Sequence, residues 1–79
     1  MIPHVIVNPA SASGETAAVW PRLASELRNQ LGAFQVSFTE KPGDAVFIAA
    51  EAAAKGAELI IACGGDGTVS EVANGILNS

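Results

Sequence analysis

The chain is short of nearly everything a nucleic-acid binder, a disulfide scaffold or a membrane span needs. Of its 79 residues only four are basic, Arg22, Arg28, Lys41 and Lys55, and they are spread along the sequence against a net charge of -4. Nonspecific nucleic-acid binding rests on a basic patch that neutralises phosphates, so a nucleic-acid partner is excluded. A polybasic membrane anchor is excluded for the same reason. The single cysteine, Cys63, forbids an internal disulfide, and one Cys with one His cannot form a structural zinc site. No apolar run approaches the length of a membrane helix. No basic stretch precedes an extended apolar segment at the N-terminus, so no secretory signal is expected and the setting reads as cytoplasmic.

Hydrophobic residues are not short: they make up 49% of the chain, with mean hydropathy +0.36. That is the opposite of a disordered composition. Fifteen of these residues are alanine, so the expected core is thin. A chain of this size buries only about 60% of its unfolded surface.

The pattern along the chain alternates. His4–Asn8 (HVIVN) is a β-branched run that reads as a buried strand, and Pro9–Gly14 (PASASG) reads as a loop. From Glu15 a helical pattern begins: Trp20, Leu23, Ala24, Leu27 and Leu31 fall on one face, with Pro21 inside the window either starting the regular helix or kinking it and Gly32 ending it. In Phe34–Thr39 the residues Phe34, Val36 and Phe38 alternate with polar ones, as in a strand with one buried face near a sheet edge. After a turn over Glu40–Gly43, Asp44 is placed to cap a helix whose narrow stripe is Ala45, Ile48, Ala49, Ala52 and Ala53. Glu58–Cys63 is a near-continuous apolar strand, expected to be buried on both faces of a parallel sheet. Gly64–Gly67 is a tight loop, and Val69, Val72, Ala73, Ile76 and Leu77 repeat as a third helical face.

The order is βαβαβα. It predicts an α/β fold with a small parallel sheet between helical layers, joined by right-handed crossovers. Three strands and three helices are few for this architecture. Residues 1–79 therefore read as the N-terminal portion of a larger α/β protein, with an unpaired sheet edge that leaves it open to homo-oligomerisation.

In open α/β sheets ligands gather at the carboxyl ends of the strands. Three segments meet there: Asn8–Gly14, Thr39–Asp44 and Gly64–Thr68. In the third, Gly64, Gly65 and Gly67 permit positive φ and close backbone approach, and the loop opens a helix whose free N–H groups suit phosphate. Asp66 places a carboxylate beside that site, which a bare phosphate would repel and a Mg²⁺-nucleotide would reconcile. The competing reading is structural. Thr68 and Glu71 match a capping box, and Asp66 an acid at a helix start. Likewise Asn8–Gly14 reads equally as a connector with Ser13 as cap, Thr39 as a strand end, and Asn74 as either solvated or bracing the loop. Neither a P-loop nor a G-x-G-x-x-G fingerprint is present. Cys63 reads as a small buried hydrophobe and Trp20 as core. His4 lies at the wrong end of its strand for catalysis, and Ser11 and Ser13 have no histidine base.

Taken together, Asn8-Pro9-Ala10-Ser11 with Gly14, Thr39-Glu40-Lys41-Pro42-Gly43-Asp44-Ala45, and Gly64-Gly65-Asp66-Gly67-Thr68-Val69-Ser70-Glu71-Val72-Ala73-Asn74-Gly75-Ile76 resemble the catalytic domain of the diacylglycerol kinase family. The GGDGT core is shared with NAD kinases; the other two segments favour the lipid-kinase branch. The resemblance implies transfer of the ATP γ-phosphate to a lipid hydroxyl. It places Asn8, Pro9, Ala10, Ser11, Ala12 and Thr39 along the nucleotide. Gly64, Gly65, Asp66, Gly67, Thr68, Val69, Ser70 and Glu71 fall around the phosphates, with Asp66 helping to place Mg²⁺. Ala12 stands where the family often has glycine, and Ser70 where many members have asparagine. The resemblance also assigns the lipid pocket and the general base to a second, β-rich domain not matched by these residues. The 79 residues alone are thus expected to be inactive, with transient membrane contact belonging to the full protein. An NAD kinase-like phosphotransferase and a noncatalytic nucleotide-binding or interaction module are the alternatives.

Overall fold

A computed structural model describes residues 2–77. Three strands, β1 (His4–Val7), β2 (Gln35–Phe38) and β3 (Ile60–Cys63), form one parallel sheet in the order β2-β1-β3. His4 pairs with Gln35 on one side and Ile60 on the other, and Val7 with Phe38 and Cys63. Three helices connect and cover it: α1 (Glu15–Leu31), α2 (Asp44–Ala54) and α3 (Asp66–Leu77). The expected α/β order and parallel sheet are therefore present.

β1 is the centre of the molecule. Val5, Ile6 and Val7 are fully buried, the condition that makes a continuous β-branched run stable between two helical layers. Ile6 faces α2 and α3, packing with Ala45, Ala49 and Val72. Val5 and Val7 face α1, packing with Cys63, Trp20, Leu23 and Leu27. Trp20 meets Phe34 and Phe38 edge-on, with centroids 6.4 and 5.9 Å apart, and so ties α1 to β2.

Several expectations are corrected. α1 begins at Glu15 as expected, but Pro21 does not start it: the helix runs through the ring. The ring removes the N–H that would bond the Ala17 carbonyl, but both residues are exposed and water can serve that group. Gly32 ends the helix as expected, at φ +77 with its N–H on the Arg28 carbonyl. β2 is the edge strand anticipated, yet its apolar face is only partly covered: Val36 is 39% and Phe38 47% exposed. Leu59 lies outside β3 and is exposed, and Ile60, Ile61 and Ala62 are half-buried.

The largest correction concerns α3. Of its expected apolar stripe only Val72 is buried; Val69, Ala73, Ile76 and Leu77 are exposed. The helix instead buries Thr68, Val72 and Gly75, spaced i, i+4, i+7. The cause is close packing on the alanine face of α2. A Cβ on Gly75 would sit 2.2 Å from the Val46 carbonyl oxygen and 3.0 Å from the Ala49 Cβ. Only small residues let the two helices come so near.

Candidate functional site at the carboxyl ends of the strands

The loops after β1, β2 and β3 converge on a cleft of about 370 Å³. Asn8, Ala10, Ser11, Thr39, Glu40, Lys41, Pro42, Gly65, Gly67, Thr68 and Glu71 line it. Eight of these were singled out in the sequence. Glu40, Lys41 and Pro42 belong to the Thr39–Asp44 segment expected at the strand ends, although the sequence gives them no individual role beyond the turn. Pro9, Ala12, Gly64, Asp66, Val69 and Ser70 do not line the cleft. Asp66 is exposed on the first turn of α3, between the two lining glycines.

Three sets of hydrogen bonds hold these loops. The first is centred on Asn8. Its Nδ2 donates to Thr68 Oγ1 at 3.2 Å, and its Oδ1 accepts from the Ala10 N–H at 3.1 Å. Its carbonyl accepts from the Ser11 N–H and hydroxyl, at 3.2 and 2.9 Å. Ser11 has then used its only hydroxyl proton, so Thr16 donates to Ser11 in the short contact between them. The chain beyond bends through a 3-10 turn over Ser11–Gly14. Ala12, Ser13 and Gly14 all have positive φ, at +54, +56 and +90. No Ser13 side-chain cap forms, and Gly14 holds the position before α1.

The second set is centred on Asp44. It is the first residue of α2 and not its cap, which is Gly43 at φ +92. Its Oδ2 accepts from the Glu40 and Lys41 N–H groups at 2.8 and 3.0 Å, and its Oδ1 pairs with Lys41 Nζ at 3.0 Å. The Glu40 N–H above all, with the Lys41 ammonium, holds this carboxyl below the ordinary carboxylate range. The third contact is Glu71 Oε2, which accepts from the Gly43 N–H at 3.3 Å.

These partners overturn the capping-box reading. Thr68 is the third residue of α3, 4% exposed and bonded to Asn8, while Glu71 reaches across to Gly43. The Thr68 and Val69 N–H groups return to the Gly65 carbonyl at 3.0 and 3.2 Å. The glycine expectation is also corrected. None of Gly64, Gly65 and Gly67 has positive φ. Gly64 is required because a Cβ there would meet Thr68 Oγ1 at 2.4 Å. At Gly65 and Gly67, both exposed, a Cβ would stand in open space, so a ligand can approach their backbone.

That open backbone is the feature that fits phosphate. The first N–H groups of a helix lack internal acceptors and carry the positive end of its dipole. A metal cage is absent: among the described residues no three His, Cys, Asp or Glu side chains come together. Mg²⁺ needs no such cage when phosphates and waters supply its remaining ligands, so a lone Asp66 carboxylate fits that role.

A second cavity of about 350 Å³, lined in part by His4, Gln35, Glu51 and Lys55, lies at the amino ends of the strands. His4 Nε2 lies 2.8 Å from Ser37 Oγ, and burial, helped by Lys55, lowers its pKa. Cys63 is buried in the core, where desolvation raises its pKa, as a small hydrophobe should be.

Comparison with known proteins identifies the family and the fold. The model of the diacylglycerol kinase catalytic domain matches residues 3–79, and the chain belongs to that family. It is 40% identical over 73 residues to a diacylglycerol kinase of Staphylococcus epidermidis, covering 92% of this chain and 23% of that protein. A Cronobacter sakazakii protein assigned as a lipid kinase is 42% identical over 69 residues, covering 87% of this chain and 22% of its own. A crystal structure from Bacillus anthracis str. Sterne, of a protein assigned as a diacylglycerol kinase, superposes with TM-score 0.86 at 32% identity. It covers 99% of this chain and 26% of that one. The chain thus spans about a quarter of the length of the relatives it matches. Among the described residues no helix is long and apolar enough to cross a membrane.

Proposed function

We propose that this chain forms the nucleotide-binding part of an ATP- and Mg²⁺-dependent lipid kinase. The observation that carries the reading is the cleft where Gly65 and Gly67, at the start of α3, present open backbone beside Thr39, Asn8 and Ser11. The N–H groups at this helix start receive the phosphates. Asn8 and Glu71 are spent on Thr68, Ala10 and Gly43, so they shape the walls. Thr39 and Ser11 line the nucleotide's path. Asp66 holds the metal, and Mg²⁺ supplies neutralisation of the charge that spreads over the transferred phosphoryl group. Catalysis by this portion is then positioning and electrostatics. The acceptor is a lipid hydroxyl, diacylglycerol being the acceptor class named for several relatives. Its pocket and the general base belong to chain beyond these 79 residues, and membrane contact belongs to the same whole protein.

The test is a titration of the 79-residue chain with ATP, with and without Mg²⁺, followed by backbone amide shifts. Shifts confined to 8–14, 39–43 and 64–71 support the reading. A well-dispersed spectrum that does not move at millimolar ATP overturns nucleotide binding by this part. Lipid phosphorylation is assayed on the longer protein.

A further inference from the structure

We infer that Lys41 is this chain's own cation for the nucleotide's phosphates, held on Asp44 until the anion arrives; the inference rests on the nucleotide reading above. The argument begins from charge. The residues lining the cleft include two acids, Glu40 and Glu71, and one base, Lys41. Asp66, exposed between the two lining glycines in sequence, adds no positive charge. A triphosphate entering here meets net negative charge, and the helix start alone offers only partial positive charge. The other three basic residues are elsewhere. Arg22 and Arg28 are on α1, the latter over the Phe34 ring at 5.6 Å, and Lys55 pairs with Glu51 beside the cavity at the opposite end of the sheet.

Lys41 is placed to move. Its backbone is pinned, because its N–H donates to Asp44 Oδ2, while its side chain is 77% exposed. The ammonium rests on Asp44 Oδ1 at 3.0 Å. With its ammonium in water such a pair is weak, although Asp44 itself is only 18% exposed, whereas a phosphate oxygen offers a stronger, charge-assisted partner. A four-carbon stem on a fixed backbone lets the ammonium exchange one for the other while the wall stays in place. Asp44 is then a positioning residue: it fixes the loop and keeps the ammonium at the cleft.

ATP affinity is measured for the unsubstituted chain, Lys41→Met and Lys41→Arg, each at low and high salt. Lys41→Met keeps most of the stem and loses the charge, and so exposed a side chain is dispensable for folding. We expect Lys41→Met to bind ATP about tenfold more weakly at low salt, a gap that narrows at high salt, and Lys41→Arg to stay within about threefold. Equal affinity in Lys41→Met, or an equal loss in Lys41→Arg, overturns the inference and leaves the nucleotide reading standing. No ATP binding by the unsubstituted chain overturns that reading and this inference with it.

Discussion

Replacing Gly75 by alanine sets two well-defined effects against each other. In a helix interior the change is favourable by about 1 kcal/mol, because glycine has more backbone freedom to lose. Against that, the new methyl would lie 2.2 Å from the Val46 carbonyl oxygen, 3.0 Å from the Ala49 Cβ and 3.1 Å from the Ala50 nitrogen. Ordinary carbon–oxygen contacts fall at about 3.3 Å or more, so α3 must move off α2 by roughly 1 Å. Two of the three neighbours are backbone atoms, so no side chain can rotate out of the way. Overpacking of this kind costs about 1–3 kcal/mol, and the site sits at the severe end. The net expectation is a loss of about 2 kcal/mol, which for a domain of this size lowers Tm by roughly 8–16 °C. Urea unfolding followed by Trp20 fluorescence, with thermal melts by circular dichroism, measures both. Gly67→Ala is the control. It lies in the same helix with open space at the Cβ, so it should be unchanged or gain up to about 1 kcal/mol over the unsubstituted chain. An unchanged or raised Tm for Gly75→Ala would refute the claim that close approach of α2 and α3 dictates glycine here.

Three further expectations follow from single contacts. Asn8→Ala leaves Thr68 Oγ1, in a residue 4% exposed, without its donor and frees the Ala10 N–H, so urea titration should show a loss of about 1–2 kcal/mol. Ala12→Gly relieves a left-handed residue at φ +54 and should raise stability by about 1 kcal/mol, against the usual cost of glycine; a loss would mean that the bend is unstrained. His4 has a folded pKa below its ordinary 6.5, owing to burial first and Lys55 second, with Glu51 opposing. The unfolded chain therefore takes up the proton first. This contribution is whole above pH 6.5 and is lost as pH falls from there through the folded pKa. Urea midpoints for His4→Gln should show a flatter fall over that window than the unsubstituted chain, and equal slopes would remove His4 as the cause.

The architecture was readable in the sequence wherever burial demands one kind of residue. Val5, Ile6 and Val7 of β1 are buried on both faces, the setting in which a continuous β-branched run is expected. The alanine stripe of α2 was likewise plain, since Ala45, Ala49 and Ala52 are the buried positions. Periodicity misled for α3, because it rewards bulky apolar residues, while the contact with α2 rewards small ones. Thr68 and Gly75 score poorly as hydrophobes and are nonetheless what the helix buries. The capping box failed for a related reason. Thr68 and Glu71 satisfy the local rule, but Asn8 and Gly43, sixty and twenty-eight residues away in sequence, offer tertiary partners that local spacing cannot show. The site was legible as a place, through the strand ends, more than as a set of roles. Lys41 and Pro42 were in plain view in TEKPGD, but a turn sequence does not say which way its wall faces.

The three loops do not form their cleft independently. Asn8 links the first loop to α3 through Thr68, Glu71 links α3 to the second loop through Gly43, and Asp44 closes the second loop on itself. Both links to α3 come from its first two turns, and its later turns are set by Gly75 against α2. The depth to which α3 settles on the alanine face of α2 therefore sets the position of Gly65 and Gly67 relative to the other two walls. A core rich in alanine gives up hydrophobic burial, and what it gains is a short helix-to-helix distance. In this chain that distance places Thr68 within reach of Asn8 and Glu71 within reach of Gly43. The thin core and the cleft are consequences of the same packing, and a substitution that thickens one should loosen the other.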